Sequence, residues 1–441
     1  MENKPYFLIG DTEAFMRGEL DNVTVSGGQV VLDMVQGAYV PYGCYTSPAI
    51  PLPTFDTLYP SWNAASPPGT AVEVQARVLV DGNWTGWFGF GRWSAFIRRE
   101  SAKPQRRGAI ALQGDRLLLD TKLATQAQLR IYLYTREEKA TPAVRLLGVG
   151  VRPANAIPAS GRPVNAALHL PPYAAFRRAP ALGRQMDLAI SLASLTNRWG
   201  ADLLPEEFAL ALYDKAAPDR ANLCFAAAAA GCWGFPAWAG WADLATLRAE
   251  VRAGFGVVVN LATTPAQQAA GFPESRYTAL RGFATDPATG RQRVLLNDPL
   301  AAGDFEAEIS LPIDDFLVSW NNVALFMRPA RYDRSAGCPA RTACCLQPAG
   351  ADRPGVFLLN VGGAVRPLPD AFCGTPGAPA GVLAWTGGGS RAHATTAHKT
   401  FHFVQPAGGG IALPASADTP TRHTVYAIDA SGSMLVGDIT I

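Results

Sequence analysis

At 441 residues the chain is too long for one hydrophobic core, and at about 150 residues per domain it divides into about three. Hydrophobic residues make up 48% and charged residues 17%, a balance that excludes a disordered chain. The formal net charge of +2 comes without a long run of Lys or Arg, so neither nucleic acid nor an anionic membrane is expected as a partner.

In chain order, the start Met1–Pro5 has no apolar core behind its charged residues, and no signal peptide is expected. Runs rich in β-branched and aromatic residues at 30–35, 71–80, 129–135 and 144–151, punctuated by Gly and Pro, predict strands of a β-sandwich over residues 1–155. Aromatics crowd the stretch from Tyr42 to Trp93. Trp62, Trp84 and Trp87 among them are candidates for stacking on sugars, which would make the sandwich carbohydrate-binding-like, although large aromatics more often fill a core. Arg98, Arg99, Arg106 and Arg107, the densest basic group, read as a solvated hairpin tip or loop.

A Pro-, Ala- and Gly-rich stretch from Arg152 to Pro163 reads as a linker. Beyond it, apolar residues at helical spacing predict a helix from Met186 to Trp199 that stops at Gly200, with further helices at 205–213 and 244–253. The alanine run from Cys224 to Ala239 is broken by Gly231, Gly234 and Pro236 and is neither long nor helical enough to span a bilayer. Strands are predicted at 256–261, 277–283 and 293–297, so 164–330 reads as an α+β domain. Residues 331–441 read as a small β-rich domain, with strands at 356–361, 381–386 and 400–405 and a hairpin over 424–441 turning at Ser431-Gly432.

The seven cysteines, Cys44, Cys224, Cys232, Cys338, Cys344, Cys345 and Cys373, define no complete disulfide framework. His398 and His402 would share one face of a strand, yet the spacing of a structural zinc site is missing, and neither metal nor cofactor is expected.

The segment from Leu170 to Pro329 resembles the C-39-like cysteine peptidase domain, which has a papain-like fold. The likeness runs in order through Leu170-Pro171-Pro172-Tyr173, the helix ending Arg198-Trp199-Gly200, Ala229-Ala230-Gly231, Val257-Val258-Val259, Arg281-Gly282-Phe283 and Asn297-Asp298-Pro299, and on to the closing helix and strand over 316–329. The first domain resembles the β-sandwich that precedes this peptidase domain in many bacterial members. Tyr45–Pro48, Pro60–Ala64, Trp84–Trp87 and Asp120-Thr121 carry that second likeness.

The resemblance implies a thiol at the start of a helix, a histidine base, an acid to orient it and a glutamine for the oxyanion. The positions that match those roles hold Asp187 for the thiol, Arg276 for the base and Ala175 for the glutamine; only the orienting acid, Asp298, keeps its type. Arginine stays protonated and cannot act as a general base. No histidine lies between Leu170 and Ala392, so a displaced dyad would need His169 together with Cys224 or Cys232, both in apolar chain.

Two function classes are therefore carried forward. The chain is either an inactive homologue that binds a peptide or glycan through Asp187, Arg276, Asn297, Asp298 and the aromatics Trp62, Trp84 and Trp87, or an enzyme with a site rebuilt around Asp187, Arg276 and Asp298. The charge sequence acid, arginine, acid repeats the thiolate, imidazolium, carboxylate order of an active site. It predicts Arg276 within hydrogen-bonding distance of Asp187, Asp298 or both, in a partly buried cleft.

Overall fold

The structure is a computed structural model that describes residues 4–329, apart from 68, 96–98, 176–185, 200, 202, 204, 218–220 and 270, and beyond 329 the backbone of eight strand segments. It is mostly antiparallel β-sheet with a few helices.

The first sheet is built around β1 (Tyr42–Thr46), β2 (Ile50–Ala65), β3 (Thr70–Val80), β4 (Phe88–Trp93), β5 (Ala124–Thr135) and β6 (Ala143–Pro153). In β3, Val72, Val74, Ala76 and Val78 are buried while the residues between them are half-exposed, and Leu129, Ile131 and Leu133 do the same in β5. This period-two pattern gives each strand one core face and one open face. β2 carries the chain from one layer to the other, because its start pairs with β5 and the rest, from Phe55 to Ala65, pairs with β6.

Prolines at 51, 53 and 60 hide the 16-residue β2 from a sequence reading, since proline removes a ladder donor. At Pro60 the geometry makes this harmless. Its carbonyl accepts from the Cys224 thiol at 3.2 Å, so its nitrogen faces that same side, where no strand lies among the described residues.

The region 166–327 holds α1 (Met186–Arg198), α2 (Pro205–Leu212), α3 (Leu223–Cys232), β7 (Ala237–Trp241), α4 (Leu244–Arg252), β8 (Val257–Ala262), β9 (Ser275–Thr285), β10 (Gln292–Asn297), β11 (Glu308–Pro312), α5 (Ile313–Ser319) and β12 (Trp320–Met327). The strands form one antiparallel sheet in the order β7-β12-β8-β9-β10-β11. α3, started by the Asn222 side chain on the Phe225 amide, is buried on every side, so it lacks the apolar stripe that would have marked it as a helix.

Sandwich and second sheet share a core rather than a flexible joint. Asn63 of β2 donates to Ala227 O and Ala237 O and accepts from the Ala237 amide, all within 3.1 Å, and Ser61 Oγ accepts from the Ala239 amide. Glycines permit the closest approaches. A Cβ on Gly231 would stand 2.2 Å from Asn63 Cβ, and one on Gly150 would stand 2.2 Å from the Ala239 carbonyl oxygen. The stretch read as a linker is also pinned, by Arg248 donating to Ser160 O at 2.6 Å and Ala245 N donating to Ala159 O.

Arg99 departs from the solvated reading of its basic cluster. It is buried and donates to Ser94 O and Tyr213 O, with desolvation lowering its guanidinium to about 10, whereas Arg106 remains on the surface paired with Asp120. Arg98 lies outside the described residues.

Past residue 343, one set of strands joins Cys344–Pro348, Val356–Val361, Ala364–Arg366 and Ile411–Ala412, and another runs Thr400–Val404, Val382–Thr386, Arg422–Ile428, Met434–Thr440. The last two strands pair as the expected hairpin, Ile428 opposite Met434. Cys338, Cys373, His393 and His398 lie outside the described residues, and for His402 and His423 only the strand backbone is described.

Candidate functional site

The pieces singled out in the sequence meet where β10 ends. On one side β9 pairs with β8 down to Ser275, but its pairing with β10 stops at Ala279 opposite Asn297. The Tyr277 peptide is thereby left without a ladder partner on the β10 side, and α1 supplies one. Asp187 Oδ2 accepts from the Tyr277 amide at 2.7 Å, and one helical turn on, Ser191 Oγ donates to the Tyr277 carbonyl at 3.1 Å. The other Asp187 oxygen accepts from the Leu188 amide at 2.8 Å. Asp187 is half-buried, and this desolvation, reinforced by the charge of Asp298, raises its carboxyl to about 6 against the pull of the two amides.

Arg276, the neighbour of Tyr277, turns to the residue after β10. Its Nε lies 3.1 and 3.0 Å from the two oxygens of Asp298, and its Nη2 lies 2.9 Å from Oδ2, a fork matched to the carboxylate. Nη1 donates to Ala262 O at 3.2 Å. Both side chains are buried, at 7% and 8% exposure. Asp298 also accepts from the Leu300 amide at 3.0 Å. The expected contact of Arg276 with an acid is therefore present with Asp298. No ion pair joins Arg276 to Asp187 among the described residues, because Asp187 is engaged by backbone amides instead.

Asn297 is buried and its amide donates to Leu170 O and Pro171 O, at 3.2 and 3.3 Å, which ties the 170–175 strap to the end of β10. Ser194 of α1 holds the same strap through Pro171 O at 2.8 Å. Ala175 is fixed by its amide on Pro299 O at 2.8 Å. Ala175, Asp187, Arg276 and Asp298 thus lie around one junction of strap, helix and strands: Ala175 is held by the residue after Asp298, Asp187 by the residue after Arg276, and Arg276 by Asp298 itself.

The two cysteines of this region are far from nucleophilic. Cys224 is buried and donates to Pro60 O and Asp115 O, with burial pushing its thiol well above the usual range, and burial raises Cys232 to about 12. Among the described residues no group of three or more His, Cys, Asp or Glu could hold a metal ion, and no helix is long and apolar enough to cross a membrane.

The three tryptophans separate. Trp62 is completely buried, with its ring edge-on to Phe225 of α3 at 6.2 Å, so it is a core residue between sandwich and helix and cannot meet a sugar. Trp84 and Trp87 are half-exposed on the open face of the sandwich, where Arg77 lies over both rings, at 4.9 and 4.6 Å. Arg130 lies over Trp87 at 4.1 Å and over Tyr132 at 5.4 Å. These arginines and tyrosines were not singled out in the sequence, although Arg130, Tyr132 and Tyr134 recur at every second position of β5, the spacing of one strand face.

Residues 9–151 match the family model described as Peptidase C39 N-terminal domain. The match relates the chain to the C39-like peptidases through its sandwich, and it ends before the linker. No curated protein matches. Two solved structures are similar to parts of the chain. One comes from work described as "Prominent members of the human gut microbiota express endo-acting O-glycanases to initiate mucin breakdown", at 12% identity over 33% of this chain and 91% of that one, with a TM-score of 0.19. The other is a mutant of a family 29 carbohydrate-binding module made to probe ligand recognition, at 12% identity over 36% of this chain and 99% of that one, with a TM-score of 0.17. At such scores neither carries an argument about this chain.

Proposed function

We propose that the chain is a C39-like peptidase homologue without peptidase activity that serves as a peptide- or glycan-binding or assembly protein. In this reading residues 1–155 are the C39-related sandwich, 164–330 a degenerate papain-like domain and 331–441 a β-rich appendage. One observation carries it: the Arg276 guanidinium is forked onto buried Asp298 at 2.9–3.1 Å, which fixes a permanent cation where the resemblance calls for an exchangeable proton. Asp187, at the thiol's position, serves the Tyr277 amide, and Ala175 has no side-chain donor for an oxyanion.

The test is turnover of peptide and ester substrates with and without iodoacetamide. No alkylation-sensitive turnover is expected, and turnover abolished by Cys224→Ala or Cys232→Ala would overturn the reading. A gain of turnover in the triple variant Asp187→Cys, Arg276→His, Ala175→Gln would support the positional assignments. A second reading, a hydrolase rebuilt around Asp187, Arg276 and Asp298, is favoured by the Asp187 carboxyl near 6, in the range of a general acid or base. Turnover that resists alkylation and disappears in Asp187→Asn would select it.

A further inference from the structure

We draw no further inference here: the strongest candidate, the ladder of arginines and aromatic rings along the open face of the sandwich, has its guanidiniums already lying over its rings and Glu19, Asp21, Glu73 and Glu100 interleaved with them on the same face, so nothing in the structure shows what covers it.

Discussion

Replacing Arg276 by alanine is expected to destabilise the fold by about 3–5 kcal/mol, the range for removing one partner of a buried, hydrogen-bonded ion pair. The substitution takes away the guanidinium nitrogens that stand 2.9, 3.0 and 3.1 Å from Asp298, and that carboxylate, 8% exposed, keeps the Leu300 amide as a donor. Such a cost is large against a typical total stability of about 5–15 kcal/mol. Most of it reflects the stranded charge and not the net worth of the pair, so Arg276→Met/Asp298→Leu should recover the greater part. Arg276→Lys, with a point charge in place of the fork, should fall between. Urea unfolding at pH 7, with the slope unchanged and the midpoint lowered, measures all three. A destabilisation below about 1 kcal/mol in Arg276→Ala, or a double variant no more stable than the single one, would refute the view of this pair as buried and mutually compensating.

The Asp187 carboxyl, raised from 3.8 to about 6, binds its proton more tightly in the folded state, so stability present below about pH 4 is lost as pH rises through 6, by up to about 3 kcal/mol. Asp187→Asn keeps an oxygen for the Tyr277 amide and should flatten this dependence, as urea midpoints from pH 4 to 7 would show. Gly150→Ala would press a methyl into the Ala239 carbonyl and should cost about 1–3 kcal/mol, read from thermal melts. Cys224 and Cys232, buried with raised thiols, should resist iodoacetamide at pH 8 until urea unfolds the chain, as mass spectrometry of the labelled peptides would record.

Elements whose two faces differ in polarity were legible in the sequence, and those without such a difference were not. β3 and β5 announce themselves because water wets one side and the core takes the other, which writes a period of 2 into the residues, while α1, buried nearly all round, shows its helical spacing because the side away from its leucines carries the hydrogen-bonding Ser191, Ser194 and Asn197. α3 and the second half of β2 pack against each other at the junction of the two sheets, so neither carries a period, and the alanines and prolines there read as irregular chain. Trp62 misleads for the same reason, since an aromatic that fills such a junction looks in sequence like one that waits on a surface. At the candidate site the residue types foretold the Arg276–Asp298 pair. They did not foretell the partner of Asp187, because that partner is a backbone amide exposed by the early end of β10, and a strand's last hydrogen bond leaves no mark in its side chains.

The place of Asp187 in the whole molecule suggests why such a site would persist without chemistry. Through Tyr277 it reaches the interface with the sandwich: the phenol is pushed well above the ordinary tyrosine range by burial and then by the charges of Asp115 and Asp187. Asp115 in turn belongs to the sandwich and accepts from the Leu223 amide at 3.0 Å, at the start of α3, the helix that Asn63 clasps. A helix start that, on the reading proposed above, once presented a reactive group satisfies the Tyr277 peptide at the edge of one sheet, and Tyr277 feels the charge of Asp115 at the contact with the other. Losing a nucleophile at such a junction is tolerable, whereas losing the hydrogen-bonding group would leave buried peptide bonds unpaired in the shared core. On the reading proposed above, an acid in place of a thiol keeps the acceptor, and an arginine in place of a histidine keeps the charge that Asp298 needs, so packing alone would be enough to maintain both.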